Sequence, residues 1–464
     1  MNREPVQLTE QQLFEQQEAM RLVAAHPDKP RSYYIVTYGC QMNAHDSETL
    51  AGMLQGMGLC EAPSREEADF VLFNTCCVRD NAERRALGNI YWLDDLRKKK
   101  PSLLIGVCGC MIQQPQMAEK ILKQYRFIDL AFGTHNLYQL PSLLLKLLSD
   151  GKRVVRVTQE ETLIAEGLPV QRLSPYHAYI TVMYGCDNFC SYCIVPYVRG
   201  RERSRRSADI LREAEVLLKS GTQEIMLLGQ NVNSYHDEGG MGFPALLRAL
   251  DEMGVPRIRF MTSHPKDLSD ELIDVMAQSR HICNHLHLPV QSGNNEILER
   301  MNRRYTREQY LARVTALCQA MPSLGLTTDL IVGFPGETEA QFEDTLRLVD
   351  EVGYDAAFTF IYSPREGTRA AAMQSQIPPE VSSERIARLI SAVEASTARV
   401  HQGLIGTTEE VLVEGLSKRD AHQVSGKGTR NITLTFEGDE SDVGKIIPVS
   451  VVSSAANTLR AKRI

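Results

Sequence analysis

The pattern that most constrains this chain is a short apolar run followed by a polar loop, repeated six times between residues 178 and 362. The runs are Ala178 to Met183, Glu224 to Leu228, Ile258 to Met261, His285 to Leu288, Leu330 to Val332 and Ala357 to Tyr362. After all but the first, the loops read GQNVNSY, TSHPKD, PVQSGNNE, GFPGETEAQ and SPREGT. Helical patterns alternate with the runs. Ser207 caps one that carries Ile210, Ala214, Leu217 and Leu218 on one face and stops at Gly221. Thr306 with Gln309, and Thr338 with Gln341, have capping-box spacing ahead of two more. Strand and helix in alternation predict a parallel sheet, and six units predict a partial (β/α)6 barrel. In barrels of this kind the loops after the strands carry the chemistry.

Upstream, Tyr34 to Thr37, Phe70 to Phe73 and Leu103 to Val107 read as buried parallel strands with helical segments between them. They predict an open parallel α/β sheet, whose strand ends line one crevice. Cysteines follow each run: Cys40, then Cys76 and Cys77, then Cys108 and Cys110. Three of them therefore arrive at one place, but position alone leaves Cys76 or Cys77, and Cys108 or Cys110, open. Cys60 reads as a free thiol near a loop, and Arg97 to Lys100 as a solvated helix end. The expected division is a polar, weakly helical extension over 1–30, the α/β domain over 31–150, a helix and linker, the barrel over 172–400, and a last domain over 402–464. In that last part TTEEVLVEG, NITLTFEG and KIIPVSVVSS read as short strands of a small β-barrel, with LRAKRI as a basic, phosphate-seeking tail.

Composition narrows the function classes. A chain of 464 residues with 43% hydrophobic content can bury several cores. Its net charge of -7 argues against a basic nucleic-acid coat, so any RNA binding must be local. Neither a signal peptide nor an apolar run of membrane-spanning length is visible. Eleven cysteines without a disulfide rhythm fit reduced thiols in a cytoplasmic protein.

The first barrel strand runs into GCDNFCSYC, which spaces Cys186, Cys190 and Cys193 as C-x3-C-x2-C. Three thiolates on one loop can hold three corners of a four-iron, four-sulfur cluster and leave the fourth iron open. Zinc is the weaker reading, because no second cysteine or histidine pair follows. Phe189 and Tyr192 would shield such a cluster or simply pack the loop. Behind it stand Arg199, Arg201, Arg203, Arg205 and Arg206, a solvated face or a set of contacts to acids, a cofactor or phosphate. His281, Cys283, His285 and His287 imitate metal ligands but lead into a buried strand, so they read as core or pocket residues.

The C-x3-C-x2-C loop resembles the signature of the radical S-adenosylmethionine (SAM) enzymes. TYGCQMNAHDSE, NTCCVRDNAE and GCMIQQ resemble the N-terminal domain of one branch, the methylthiotransferases, and the last domain resembles a TRAM domain, an RNA-binding barrel. The resemblance implies a SAM-cleaving cluster on Cys186, Cys190 and Cys193, and an auxiliary four-iron cluster on Cys40, Cys76 and Cys110. It implies two SAM molecules per product, one giving a methyl group and one a radical, with the transferred sulfur held at the auxiliary cluster. GQNVNSY and the later loops look like the members that methylthiolate C2 of N6-isopentenyladenosine beside the tRNA anticodon. Gln291, Ser292, Gly333, Pro335, Gly336 and Arg199 are then candidates for holding SAM, although the glycines and proline also suit plain turns. Gln230, Asn231, Arg201 and Arg203 are candidates for the tRNA, although the first two could equally brace their loop. Implied partners are tRNA, SAM, an electron donor such as a flavodoxin or ferredoxin, and a cluster-repair protein. The alternatives are a methylthiotransferase for threonylcarbamoyladenosine or a ribosomal-protein aspartate, and an RNA-binding module stapled by metal.

Overall fold

The protein is described from a computed structural model over residues 6–77, 80–158, 163–420, 422–455 and 457–464, with backbone only at 6 and 80–84. Val78 and Arg79 of NTCCVRDNAE, residues 1–5 of the polar extension and 159–162 of the linker lie outside the described residues. The chain forms two compact units. One comprises 1–173, 184–187 and 193–204, and the other 174–183, 188–192 and 205–464.

The first unit is built on a six-stranded, wholly parallel sheet in the order Cys60–Glu61, Ser32–Thr37, Phe70–Thr75, Leu104–Gly109, Leu130–Phe132, Val154–Arg156. Strand alternation sorts Phe70–Thr75 onto two cores. Phe70 and Leu72 pack with Leu50, Leu54 and Leu144, while Val71 and Phe73 pack with Ile90, Leu93 and Ile105. Both faces are covered, which is why these strands read as continuous apolar runs. The polar N-terminal stretch forms the helix Glu10–Ala25, started by a Thr9–Gln12 capping box. The cationic end at Arg97 to Lys100 is not simply solvated. Arg97 pairs with Asp129 at 2.8 Å and Lys100 with Asp69 at 2.8 Å, because the helix ends beside acids that precede two strands.

In the second unit His177–Thr181, Glu224–Leu228 and Arg257–Phe260 form one parallel ladder, and His285–His287, Gly325–Val332 and Ala356–Ile361 another. A single parallel bridge, Ile258 to Ile282, continues the order from one ladder to the next. Capping boxes stand at Thr306 and Thr338, as their spacing predicts. The strand Gly325–Val332 starts five residues before the expected Leu330. Thr327 and Thr328 disguise it as polar, but both are buried, and Thr328 Oγ1 is satisfied by the carbonyl of Leu288 at 3.0 Å.

The C-terminal part is a closed five-stranded barrel of Thr408–Leu416, Gln423–Lys427, Thr433–Glu437, Thr458–Arg463 and Ile446–Ala455. LRAKRI is therefore not a tail. Leu459 and Ala461 enter the barrel core while Arg460 and Lys462 alternate outward, so a closing strand of period two looks like a basic run. Among the described residues no helix is long and apolar enough to cross a membrane.

Candidate functional site

In the first unit the turns after three neighbouring strands are tied by buried polar side chains. Gly39 (φ +130°) precedes Cys40, which stands at the N-cap of the helix Gln41–Gly56. A Cβ on Gly39 would lie 2.7 Å from Cys76 Cβ, so the first two cysteine turns are in close approach. Gly109 (φ +96°) precedes Cys110, and a Cβ there would lie 2.4 Å from the carbonyl oxygen of Thr75. Asn43 donates to Asn74 Oδ1 at 3.2 Å, Asn74 donates to Ser47 Oγ at 3.0 Å, and Thr75 Oγ1 donates to the carbonyl of Cys108 at 2.5 Å. These polar residues were not singled out from the sequence, although Asn43 and Ser47 lie inside TYGCQMNAHDSE and Asn74 and Thr75 inside NTCCVRDNAE.

Cys76, Cys77, Cys108 and Cys110 are buried and Cys40 is exposed. Chemistry separates the last pair. A hydrogen bond with Cys77, aided by the Arg199 charge and opposed by burial, brings the Cys110 thiol down to about 6. Burial instead pushes Cys108 well up, as for a packing thiol. Arg199 is buried, donates from Nε to Cys110 Sγ at 3.1 Å, and pairs with Asp46 at 2.6 Å. Arg203 is buried on the carbonyl oxygens of Arg199 and Arg201, whereas Arg201 is exposed and pairs with Asp187 at 2.7 Å.

In the second unit Cys190 meets a buried cation that the sequence did not single out. Arg303 donates to Cys190 Sγ at 3.4 Å, to the carbonyl of Pro289 at 2.6 Å, and to Tyr305 Oη at 3.0 Å. Its neighbour Asn302 donates to the carbonyls of Asn188 and Phe189 at 3.1 and 2.9 Å, and Ser191 Oγ donates to the carbonyl of Arg300 at 2.8 Å. The stretch 188–192, with Phe189 at φ +46°, is thus clasped by 300–303. Cys186 is buried and Cys193 partly so, both in the first unit.

The other loop residues all stand after barrel strands. Asn231 is buried and donates to Asp267 at 2.8 Å, and Gln230 beside it is half-buried. Gln291 takes φ +75° while its backbone bonds Asp329 and Ile331, and Ser292 Oγ lies 3.4 Å from Thr345 Oγ1. In the GFPGET loop Pro335 is buried. The amide of Gly333 donates to Glu337 at 2.8 Å, Arg385 pairs with that carboxylate at 3.0 Å, and the amide of Gly336 donates to Ser375. His281 pairs with Asp251 at 2.9 Å, and His285 and His287 each bond Thr327 Oγ1 at 3.0 Å, which satisfies them as pocket residues. Among the described residues no three His, Cys, Asp or Glu gather closely enough for one metal ion.

Three family descriptions fit successive parts of the chain: "Uncharacterized protein family UPF0004" over residues 32–133, "Radical SAM superfamily" over 180–349, and "TRAM domain" over 402–464. A relative from Alkaliphilus oremlandii named tRNA-2-methylthio-N(6)-dimethylallyladenosine synthase is 53% identical over 439 residues, covering 94% of this chain and 93% of its own. One of the same name from Clostridium tetani is 47% identical over 95% of this chain and 98% of its own. Among solved structures, the radical S-adenosylmethionine methyltransferase TsrM from Kitasatospora setae matches with a TM-score of 0.52 at 16% identity, over 71% of this chain and 72% of that one. That likeness concerns the fold alone.

Proposed function

Because the chain belongs to the tRNA-2-methylthio-N(6)-dimethylallyladenosine synthases, we propose that it adds a methylthio group to C2 of N6-isopentenyladenosine in tRNA, using SAM and a radical mechanism. Cys186, Cys190 and Cys193 hold the cluster that meets SAM, and Cys40, Cys76 and Cys110 hold the auxiliary one. The observation that carries this reading is the buried Cys110, with a lowered thiol and the Arg199 guanidinium on its sulfur, in a unit where Gly39 brings the Cys40 turn against Cys76. A buried, thiolate-favouring Cys110, on a turn beside those of Cys40 and Cys76, fits an iron–sulfur cluster ligand rather than inert core packing. When bound, the clusters supply an electron for SAM cleavage and the sulfur to be transferred.

The chain's own residues then divide the work. The clasp of Asn302 and Ser191 fixes the backbone that presents Cys190. The polar tie of Asn43, Asn74 and Ser47 fixes the turns that present Cys40 and Cys76. Gln291, Ser292, Gly333, Pro335 and Gly336 form the SAM-side loops, held in shape by Thr345, Glu337 and Arg385. Gln230 and Asn231 read the adenine edge, with Asp267 orienting the Asn231 amide. Arg201, exposed as Arg206 is, meets RNA phosphate, while Arg203 braces the loop through the Arg199 and Arg201 carbonyls. Residues 31–150, 172–400 and 402–464 act as cluster, radical and RNA-binding domains. A flavodoxin or ferredoxin supplies electrons in the cytoplasm, and a cluster-repair protein restores the lost sulfur.

The test is anaerobically reconstituted protein with SAM, a strong reductant and tRNA carrying either isopentenyladenosine or threonylcarbamoyladenosine, with nucleosides read by mass spectrometry. A methylthio product on the first alone is expected. Product on the second alone overturns the substrate, and product on neither overturns tRNA as the acceptor.

A further inference from the structure

Each proposed cluster has one ligand thiolate facing a buried arginine, but the two arginines differ in what balances them. Arg199 donates to Cys110 at 3.1 Å and is paired with Asp46 at 2.6 Å, so its charge is offset within the same contact shell. Arg303 donates to Cys190 at 3.4 Å, and its other partners are neutral: the Pro289 carbonyl and the hydroxyls of Tyr305 and Tyr192. Among the described residues it makes no ion pair with a carboxylate. Both guanidiniums are more than nine-tenths buried, so solvent screens neither.

Resting on the two-cluster reading above, we propose that Arg303 and the Arg199–Asp46 pair set the order in which the two clusters accept an electron. Reduction adds one negative charge to a cluster. A positive donor on a ligand sulfur stabilises that charge and raises the reduction potential, whereas a cation already cancelled by a carboxylate does so far less. The single electron given up by a flavodoxin- or ferredoxin-type donor is thereby directed to the cluster on Cys186, Cys190 and Cys193, where SAM is cleaved. The cluster on Cys40, Cys76 and Cys110 is kept oxidised. Arg303 and Asp46 are positioning residues in this scheme, acting through the thiolates without touching substrate.

The experiment uses two full-length single-cluster proteins, C40A/C76A/C110A and C186A/C190A/C193A, reconstituted anaerobically, assayed for iron and sulfide, and titrated by electron paramagnetic resonance. The first is expected to have the higher potential. Arg303→Gln, in the first, should shift it to more negative values at unchanged iron content. Asp46→Asn, in the second, should shift the auxiliary potential to more positive values, because it frees the Arg199 charge. Shifts of opposite sign are not produced by a merely structural role.

Where Arg303→Gln fails to keep its iron, the unmutated first protein grown with heavy-nitrogen arginine decides. A nitrogen coupling on the reduced-cluster signal supports the contact, and its absence overturns it. Failure of both single-cluster proteins to hold iron and sulfide would overturn the cluster reading itself. Clusters present with potentials unmoved by both variants would overturn this inference alone.

Discussion

Asn43 and Asn74 hold each other across the ends of two elements: Asn43 Nδ2 donates to Asn74 Oδ1 at 3.2 Å, and Asn74 Nδ2 donates back to the Asn43 carbonyl at 2.9 Å. Both are fully buried, and Asn74 also donates to Ser47. Asn74→Ala leaves buried groups without partners, at about 1–3 kcal/mol for each group orphaned. The urea midpoint should fall, and iron held in the C186A/C190A/C193A background should fall with it. An unchanged midpoint with full iron content would show that the tie is dispensable.

Gly109 carries the chain into Cys110 at φ +96°, with the Thr75 carbonyl 2.4 Å from where a Cβ would stand. Gly109→Ala combines left-handed strain with a backbone clash, roughly 1–3 kcal/mol for the strain alone. Gly151, at φ +62° with nothing within 4 Å, is the control, because an alanine there meets strain without collision. The expected order of urea midpoints is wild type, then Gly151→Ala, then Gly109→Ala. Only Gly109→Ala should lower the iron content of the auxiliary site, and equal losses in both variants would sink the role given to that turn.

How much was readable in advance follows from where the information sits. Strands such as Phe70–Thr75 and Glu224–Leu228 were legible because burial on both faces writes itself as an apolar run, and the helices because caps are local; Ala356–Ile361 reads the same way although its side chains are only half-buried or exposed. Gly325–Val332 was cut short because its buried threonines are satisfied by a partner strand that no local window contains. LRAKRI deceived because charge was weighed before alternation. Around the cysteines, type and spacing named the candidates, but the buried cations beside them are 89 and 113 residues away along the chain. Arg199 stood in a basic run suited to many roles, and Arg303 stood in NRRY with no distinguishing signal. Only the fold pairs each with its sulfur.

Replacing Cys40, Cys76 and Cys110 separates sulfur donation from radical generation. Cys190, Arg303 and their clasp are untouched by these substitutions, so the triple variant should still convert SAM to methionine and 5'-deoxyadenosine in the presence of reductant. Methylthio product in tRNA should be absent. The two readouts are high-performance chromatography of deoxyadenosine and mass spectrometry of tRNA nucleosides. Retained methylthiolation would remove the three cysteines from the donor role.

A buried charge cluster in the second unit centres on Glu224, within 2.8 Å of Arg259 and 3.1 Å of Arg257, all three buried. The two arginines also donate to the carbonyl of Gly428, and Arg259 to that of Thr429, in the C-terminal barrel, so this carboxylate steadies the seat of that barrel. Burial raises the proton affinity of Glu224, but the charges of Arg259, Arg257 and His177 outweigh it and hold the carboxyl below its usual range. The unfolded chain therefore binds this proton more readily than the folded one. Its stabilisation is complete above the unfolded value of about 4.3 and is lost as pH falls through the lower folded value. Glu224→Gln strands two buried cations and should cost about 3–5 kcal/mol at neutral pH. In urea unfolding followed by circular dichroism between neutral pH and pH of about 3, the gap to wild type should be widest at neutral pH and narrow toward acid. A gap that stays constant with pH would mean that Glu224 contributes by shape and hydrogen bonding rather than by charge.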